Sequence, residues 1–204
     1  MIDTGCMLWF PSCMPRSDAL FDRPPAPDDA PYIEASPGAT NPVQLCRKQL
    51  GYTLDQLSKA TGVNLQAIHL LEQGCYFPVL PRIEQFFTDR HVITAEELRE
   101  AYINYQFHQR SVFGESHGIP ELSDVGYWDG STCPFEEFRI QRVKVTRTAL
   151  AKGLCVQPAV LFRLANNQSK TIPSLLSNAL LEAGLTLELL DELSERTADY
   201  YGYR

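Results

Sequence analysis

The sequence predicts an all-α protein in which two helical units follow an extended, Pro-rich arm. Apolar residues recur at helical spacing from residue 42 to about 110, and the same spacing resumes from residue 135. Seven of the fourteen prolines lie in residues 1–41, where neither a helical nor a strand period is present. The chain therefore divides into an arm at 1–41, a helical unit at 42–110, a linker at 111–134 and a second helical unit at 135–204.

The arm carries more apolar side chains than a solvated tail needs. These include Trp9, Phe10, Leu20 and Phe21. Large apolar side chains gain free energy when they leave water. We expect them to contact a partner, and whether that partner is the body of the same chain or another protein stays open.

Local signals place the first two helices of the unit at 42–110. Pro42 suits a first helical turn, and Gly51 ends that helix. Thr53 is a good N-cap for a second helix at 54–60. Gly62 then fits a left-handed turn, because glycine adopts positive φ without steric cost.

The third helix and the last helix of this unit have caps of the same kind. Asn64 caps a helix at 65–73, and Gly74 stops it. Thr94, followed by Ala-Glu-Glu, opens a capping-box helix that runs to about Gln109.

An internal repeat relates the two helical units. A shift of 93 residues superimposes apolar positions and a threonine cap: Leu45 on Phe138, Leu50 on Val143, Thr53 on Thr146, Leu57 on Leu150, Val63 on Val156, Ile68 on Leu161, Leu71 on Leu164 and Ile83 on Leu176. One such match means little, whereas eight indicate a duplicated fold. Between the units, Phe113, Tyr127 and Trp128 make the linker too aromatic for a free tether, so we expect them to pack between the units.

Residues 43–88 resemble the lambda-repressor/Cro-like helix-turn-helix family. The resemblance is carried by Arg47, Thr53, Leu57, Gly62, Val63, Asn64, Ile68, Glu72, Gly74 and Pro78. It implies two tandem Cro-like helix-turn-helix units, the second of them divergent. It also implies that Arg47 and Glu72 form the ion pair that joins the first helix to the third. The chain departs from the family at Leu54, where many members have a glutamine that contacts the DNA backbone.

In this family the third helix enters the major groove, and its first residues contact base edges. Carried onto this chain, the base-reading residues are Asn64, Leu65, Gln66 and His69. Gln66 can make the paired hydrogen bonds that select adenine, while Leu65 offers apolar contact to a thymine methyl. The phosphate-contacting residues of the first unit are then Arg47, Lys48, Thr53 and Lys59.

The second unit departs further from the family pattern. Cys155, Ala165 and Asn167 stand where the first unit has Gly62, Glu72 and Gly74, and the equivalent reading face (Gln157, Pro158, Ala159 and Phe162) is poor in hydrogen-bond donors. Basic residues surround that face, so the unit is expected to hold phosphates more than to read bases. Its phosphate-contacting residues are Arg142, Lys144, Arg147, Lys152, Gln157, Arg163 and Lys170. An exposed Phe162 would instead indicate a protein-binding surface.

Charge and composition exclude several function classes. The net charge is −7, which argues against general DNA coating, but residues 135–170 carry seven basic and two acidic side chains. No grouping of His, Cys and carboxylates has catalytic or metal-ligand spacing, and no phosphate-cradling Gly loop is present, so we expect neither an enzyme nor a cofactor. The six cysteines form no Cys-x-x-Cys pair, and no apolar run reaches the roughly 20 residues that span a bilayer. We therefore expect a cytoplasmic, nucleoid-associated protein that does not bind a membrane.

The sequence therefore favours a sequence-specific DNA-binding transcriptional regulator of phage or mobile-element type, with double-stranded DNA as its partner. The first unit would read bases, and the second would hold phosphates. A homodimer, and a co-regulator or RNA polymerase bound through the arm, stay open as further partners. The alternative is a protein–protein adaptor, or a subunit of a larger regulatory assembly, that uses the helix-turn-helix scaffold. The acidic total, Leu54 and the apolar arm favour that alternative.

Overall fold

The structure, a computed structural model, describes residues 40–76, 78–166 and 168–202, which lie within one compact unit. These residues are helical and contain no strand, so the all-α prediction is confirmed at that level. The helices are α1 (Pro42–Gln49), α2 (Leu54–Thr61), α3 (Leu65–Glu72), α4 (Pro81–Thr88), α5 (Ala95–Ser116), α6 (Pro134–Phe138), α7 (Arg147–Gly153), α8 (Pro158–Ala165), α9 (Ser174–Glu182) and α10 (Leu187–Tyr200). A 3-10 turn at Ile119–Glu121 follows α5, and a π-helical turn at Arg139–Val143 continues α6. The arm residues Trp9, Phe10, Leu20 and Phe21 lie outside the described residues.

The predicted helix caps are present. Thr53 and Thr94 each close a capping box, with Gln56 and Glu97 as the reciprocal partners. The Asn64 side chain accepts a hydrogen bond from the Gln66 backbone N–H at 2.8 Å. These bonds satisfy N–H groups that have no partner within the helix, which is why each helix begins where it does.

α5 is longer than predicted and continues to Ser116 instead of ending near Gln109. The first six residues of the predicted linker are therefore helical. The physical reason is tertiary: Phe113 and Gly114 are packed against α7 and the end of α9, respectively. A helix segment that buries a face on neighbouring helices needs no strong local signal to persist.

Each helical unit has its own apolar core. The first core contains Val43, Cys46, Leu57, Ile68, Leu71, Val79, Ile83, Phe86, Phe87, Leu98 and Tyr102. The second contains, among others, Phe138, Val143, Leu150, Val156, Leu161, Leu164 and Leu176. Four of the pairs related by the 93-residue shift, those that begin at Leu57, Ile68, Leu71 and Ile83, are fully buried in both units.

α5 connects the two cores through three buried polar side chains. Tyr102 donates to the backbone carbonyl of Leu71 at 3.0 Å, and Gln106 donates to that of Gly74 at 2.6 Å. One turn further along, Arg110 donates to the Leu154 carbonyl at 2.9 Å. Because buried polar groups are costly unless paired, these bonds hold α5 in one rotational position against both units.

Two buried thiols, those of Cys75 and Cys155, lie near this junction. A Cβ on Gly74 would lie 3.0 Å from Sγ of Cys155, so the two chain segments are in close contact. Burial raises the pKa of Cys75 to about 11 and that of Cys155 to about 12. Both thiols therefore stay protonated at neutral pH and behave as small apolar side chains.

The left-handed backbone positions repeat with the same shift of 93 residues. Positive φ occurs at Gly51 (71°) and Lys144 (58°), at Gly62 (65°) and Cys155 (52°), and at His91 (53°) and Gly184 (97°). Non-glycine residues adopt this conformation only at a cost. Lys144 and Cys155 therefore adopt the left-handed conformation that glycine adopts at the equivalent positions of the first unit.

The first helix of each unit aligns with a shift of 92, not 93. Pro42 and Pro134 both lie at the first helical turn, and Cys46 corresponds to Phe138. The predicted match of Leu45 with Phe138 is therefore one residue off. The π-helical turn at Arg139–Val143 holds one additional residue, which restores the shift to 93 before α7 begins.

Replacing Lys144 by glycine is expected to raise the free energy of unfolding by about 0.5–1 kcal/mol. Relief of the left-handed strain, roughly 1–2 kcal/mol, exceeds the entropy that glycine adds to the unfolded chain, about 0.4–1 kcal/mol. Lys144 is exposed, so no packing is lost. Urea unfolding measures the change. The same change at Lys152, which is exposed within α7, is the matched control and should destabilise; stabilisation at both positions would contradict the explanation.

Candidate nucleic-acid interface

α2, the turn at Gly62 and α3 form the helix pair on which the predicted base-reading residues lie. The predicted ion pair between Arg47 and Glu72 is confirmed: Nε and Nη2 of Arg47 donate to the two carboxylate oxygens at 2.5 and 3.0 Å. Nη1 of Arg47 also donates to the backbone carbonyl of Tyr52 at 2.7 Å. A two-pronged bond of this kind holds the end of α3 at one orientation to α1.

The first two turns of α3 present the predicted base-reading residues to solvent. Leu65 is 47% exposed, and Gln66 and His69 are exposed beside it. His69 shares a hydrogen bond of 2.7 Å with the Gln73 amide. The Asn64 side chain caps the helix through the bond to Gln66 described above, so its oxygen already has a structural role. Gln66 is exposed, and its side-chain amide makes no hydrogen bond within the described residues.

The predicted phosphate contacts of the first unit separate into two groups. Arg47 is buried and fully bonded within the protein, and the Thr53 hydroxyl is engaged in its capping box. Lys48 is exposed on α1. Lys59 is also exposed and lies 2.6 Å from Asp55 one turn earlier, a surface pair that is worth little in water and leaves the ammonium accessible.

Three arginines at the start of the second unit are bound to carboxylates. Glu136 accepts from Arg139 at 2.7 Å and from Arg147 at 2.9 Å. Arg142 forms an ion pair with Asp124 from the predicted linker. The sequence shows the positive excess of 135–170, but only the structure shows that at least three of its seven cations are already paired.

The remaining basic residues of the second unit lie on the surface. Lys144, Lys152, Arg163 and Lys170 are exposed, and Gln157 is half-buried at the start of α8. Phe162 is 45% exposed, and the Arg147 guanidinium lies 5.6 Å from the centre of its ring. The outer face of α8 is therefore apolar and cationic, whereas that of α3 is polar.

Sequence reasoning missed Arg82. Its exposed guanidinium donates to the carbonyl of Gly62 at 3.4 Å, which places a cation at the turn between α2 and α3. One signal was available: Arg82 is the second residue of α4, where the helix dipole disfavours a cation.

Two features are absent from the described part of the chain. No group of three or more His, Cys, Asp or Glu side chains there has the arrangement of a metal site. None of the helices of that part combines the length and the apolar character needed to cross a membrane.

Comparison with known proteins gives no match. No family model matches the chain. No curated protein matches it, and no solved structure does so either. The functional proposal is therefore argued from the residues of this chain.

Proposed function

We propose that the chain is a sequence-specific DNA-binding transcriptional regulator of the Cro-like helix-turn-helix type, of phage or mobile-element origin, with two tandem units. The observation that carries this proposal is the outer face of α3. There Gln66 and His69 stand exposed at the first turns of a helix whose orientation is set by the buried pair of Arg47 and Glu72. Exposed amides at the start of such a helix are what major-groove reading requires.

The tandem arrangement is supported by backbone geometry and not only by apolar matches. Three pairs of left-handed residues repeat with a shift of 93, and α3 and α4 have counterparts in α8 and α9 that begin at the same shift. α5 joins the units through buried bonds, which suits a base-reading helix and a phosphate-holding unit kept at one separation. Such a chain can bind an asymmetric site without forming a dimer.

The exposed cations of the first unit could contact a small number of DNA phosphates. Arg82 stands at the turn of the first unit, with Lys48 on α1 and Lys59 on α2. Each phosphate neutralised by such a cation makes binding weaker as salt rises. A salt series of binding to a pool of random duplexes, followed by selection and sequencing, tests the proposal directly: one enriched motif and a steep salt dependence are expected.

Replacing Gln66 by alanine is expected to relax one position of the selected motif and to cost about 1–3 kcal/mol of binding free energy at that base pair. The reason is the loss of the paired hydrogen bonds from the amide to an adenine edge. Binding measured against a set of duplexes with each single base change identifies the position.

The control is Gln49→Ala, which removes an exposed amide from α1 instead of α3. The control should leave the motif unchanged. If Gln66→Ala and Gln49→Ala give the same motif and affinity as the unaltered chain, α3 does not read bases.

The second candidate function, a protein–protein adaptor on the same scaffold, is favoured by one observation. Arg139 and Arg147 share Glu136, Arg142 is paired with Asp124, and Phe162 stands exposed on α8. Exposed aromatic rings flanked by arginine are common in protein interfaces. Failure to retain any duplex at low salt would support this function and reject the first.

A further inference from the structure

α8 and α3 turn equivalent faces towards their cores. Leu161 and Leu164 of α8 are fully buried, and so are Ile68 and Leu71, which precede them by 93 residues in α3. These buried side chains set the rotation of each helix against its own core. The outward-facing residues of the two helices therefore correspond one by one, at the same shift.

The side chains of α8 that correspond to Gln66 and His69 are apolar. Ala159 takes the place of Gln66, and Phe162 takes the place of His69. Ala159 is exposed, and Phe162 is 45% exposed. They are three residues apart, so both lie on one face of the helix. Neither side chain has a hydrogen-bonding group, which leaves apolar contact as their means of recognition.

The Phe162 ring is braced by Arg147, the first residue of α7. The Arg147 guanidinium lies 5.6 Å from the centre of the ring, and its Nε donates to Glu136 at 2.9 Å. A cation held in this way over an aromatic ring limits the rotation of the ring. A side chain that is already ordered loses little rotamer entropy when it contacts a ligand.

The charge around α8 favours a polyanionic ligand. Residues 138–181 contain seven basic side chains and neither aspartate nor glutamate. Carboxylates from outside this stretch pair with three of the arginines, whereas Lys152 on α7 and Arg163 on the outer face of α8 are exposed. Cations in this position attract DNA phosphates. An acidic protein would meet the same charge, but the correspondence with the outer face of α3 favours DNA.

The major groove of DNA offers one apolar group to a side chain that cannot form hydrogen bonds. The base edges present donors, acceptors and the 5-methyl group of thymine. Alanine and phenylalanine are among the residues that contact this methyl group in protein–DNA complexes. A helix that brings Ala159 and Phe162 to the base edges therefore distinguishes thymine from the other bases.

We propose that α8 recognises thymine in the major groove through its 5-methyl group, an inference that rests on the proposed function. Phe162 makes the main contact, and Ala159 makes a smaller one beside it. The second unit then adds apolar base recognition to its phosphate contacts. The two helices differ in chemistry, because α3 reads a base edge through the Gln66 amide and α8 reads a methyl group.

The test uses the unaltered chain and the duplex that it enriches from the random pool. Each thymine of this duplex is replaced in turn by deoxyuridine, which lacks only the 5-methyl group and keeps every hydrogen bond of the base pair. Fluorescence anisotropy of the labelled duplex measures the affinity. We expect a loss of about fourfold at one or more thymines, the effect of one methyl group that is no longer buried.

5-Methylcytosine gives the converse measurement, because its methyl group lies at the same place in the major groove. The sensitive T·A pair is replaced by C·G and by 5-methylcytosine·G. We expect the methylated pair to bind about fourfold more tightly than the unmethylated one. Equal binding of the two duplexes would show that the methyl group is not recognised.

Replacing Phe162 by alanine locates the contact. We expect this variant to bind the thymine and deoxyuridine duplexes about equally, because the ring that contacts the methyl group is lost. The matched control is Tyr127→Ala, which removes a ring from the segment before α6. Tyr127 is 80% exposed, so the expectation that it packs between the helical units is wrong, and its removal should leave the fourfold deoxyuridine effect unchanged.

A second control, Leu65→Ala, separates the two units, because Leu65 lies on α3 and also offers an apolar contact. The deoxyuridine effect at the sensitive thymine should persist in this variant. If Leu65→Ala removes the effect and Phe162→Ala does not, the methyl group lies against α3 and the proposal is wrong. The measurements on the unaltered chain decide the matter even if Phe162→Ala does not fold.

The outcomes separate this proposal from the proposed function. A duplex that is bound equally well with thymine or deoxyuridine at every position overturns thymine recognition by α8 and leaves DNA binding intact. If no duplex is retained at low salt, DNA binding and thymine recognition are both rejected. The exposed Phe162 and the cations around it would then belong to a surface for an acidic protein partner.

Discussion

Replacing Gly114 by alanine is expected to lower the free energy of unfolding by about 3 kcal/mol or more. A Cβ at this position would lie 1.7 Å from the backbone oxygen of Ala183 and 2.6 Å from its carbonyl carbon. A backbone carbonyl cannot rotate away as a side chain does, so α5 and the end of α9 must move apart. Alanine gains about 1 kcal/mol over glycine in a helix interior, which does not offset this separation.

Urea unfolding of the full chain measures the loss, and His108→Ala serves as its control because His108 is exposed on the same helix. The control is expected to change stability by less than about 0.5 kcal/mol. An unaltered or raised stability in Gly114→Ala would mean that α5 and α9 are not in contact. That result would also contradict the conclusion that α5 connects the two helical units.

Replacing Glu72 by glutamine is expected to cost about 3–5 kcal/mol of folding stability. The side chains of Arg47 and Glu72 are 11% and 5% exposed, so the change leaves the Arg47 guanidinium buried without its counter-charge. The Tyr52 carbonyl still accepts a hydrogen bond from Arg47, but a carbonyl carries no negative charge that could compensate the guanidinium. Thermal or urea unfolding checks the loss, and circular dichroism checks that the variant is folded at the start.

The double variant Arg47→Met with Glu72→Leu separates a cost of unpaired charge from a cost of lost packing. Apolar side chains of similar volume often replace a buried ion pair at little or no cost. We expect the double variant to be more stable than Glu72→Gln alone. A double variant that is as unstable as the single one would show that the pair contributes through shape and not through charge compensation.

Local signals were sufficient for the helix starts of the first unit. Thr53, Asn64 and Thr94 cap helices where predicted, because a cap depends on a side chain and on backbone groups two or three residues away. Gly62 has the expected positive φ for the same local reason. Cys155 has it too, although nothing in its residue type indicates a left-handed position. Only the surrounding fold imposes that conformation.

The charges of the candidate site show the limit of the sequence most clearly. The cluster of cations at 135–170 was visible, but the partners of Arg147 and Arg142 were not. Glu136 lies eleven residues before Arg147 and Asp124 eighteen residues before Arg142, and in both cases the two residues belong to different elements of the fold. Whether an arginine faces solvent or a carboxylate depends on which helices pack together, and that is a property of the tertiary structure.

The sequence by itself determined the helical class, the caps and most of the buried apolar positions of both units, and its resemblance to a known family predicted the pairing of Arg47 with Glu72. Each of these follows from periodicity, from contacts a few residues apart, or from a motif whose spacing is specific. The tertiary structure alone decided the extension of α5 to Ser116, the π-helical turn that absorbs one residue, the carboxylate-paired arginines and the exposure of Tyr127. These features depend on close packing and charge pairing between residues distant in the chain, where the free energy of one arrangement is set by all its neighbours at once.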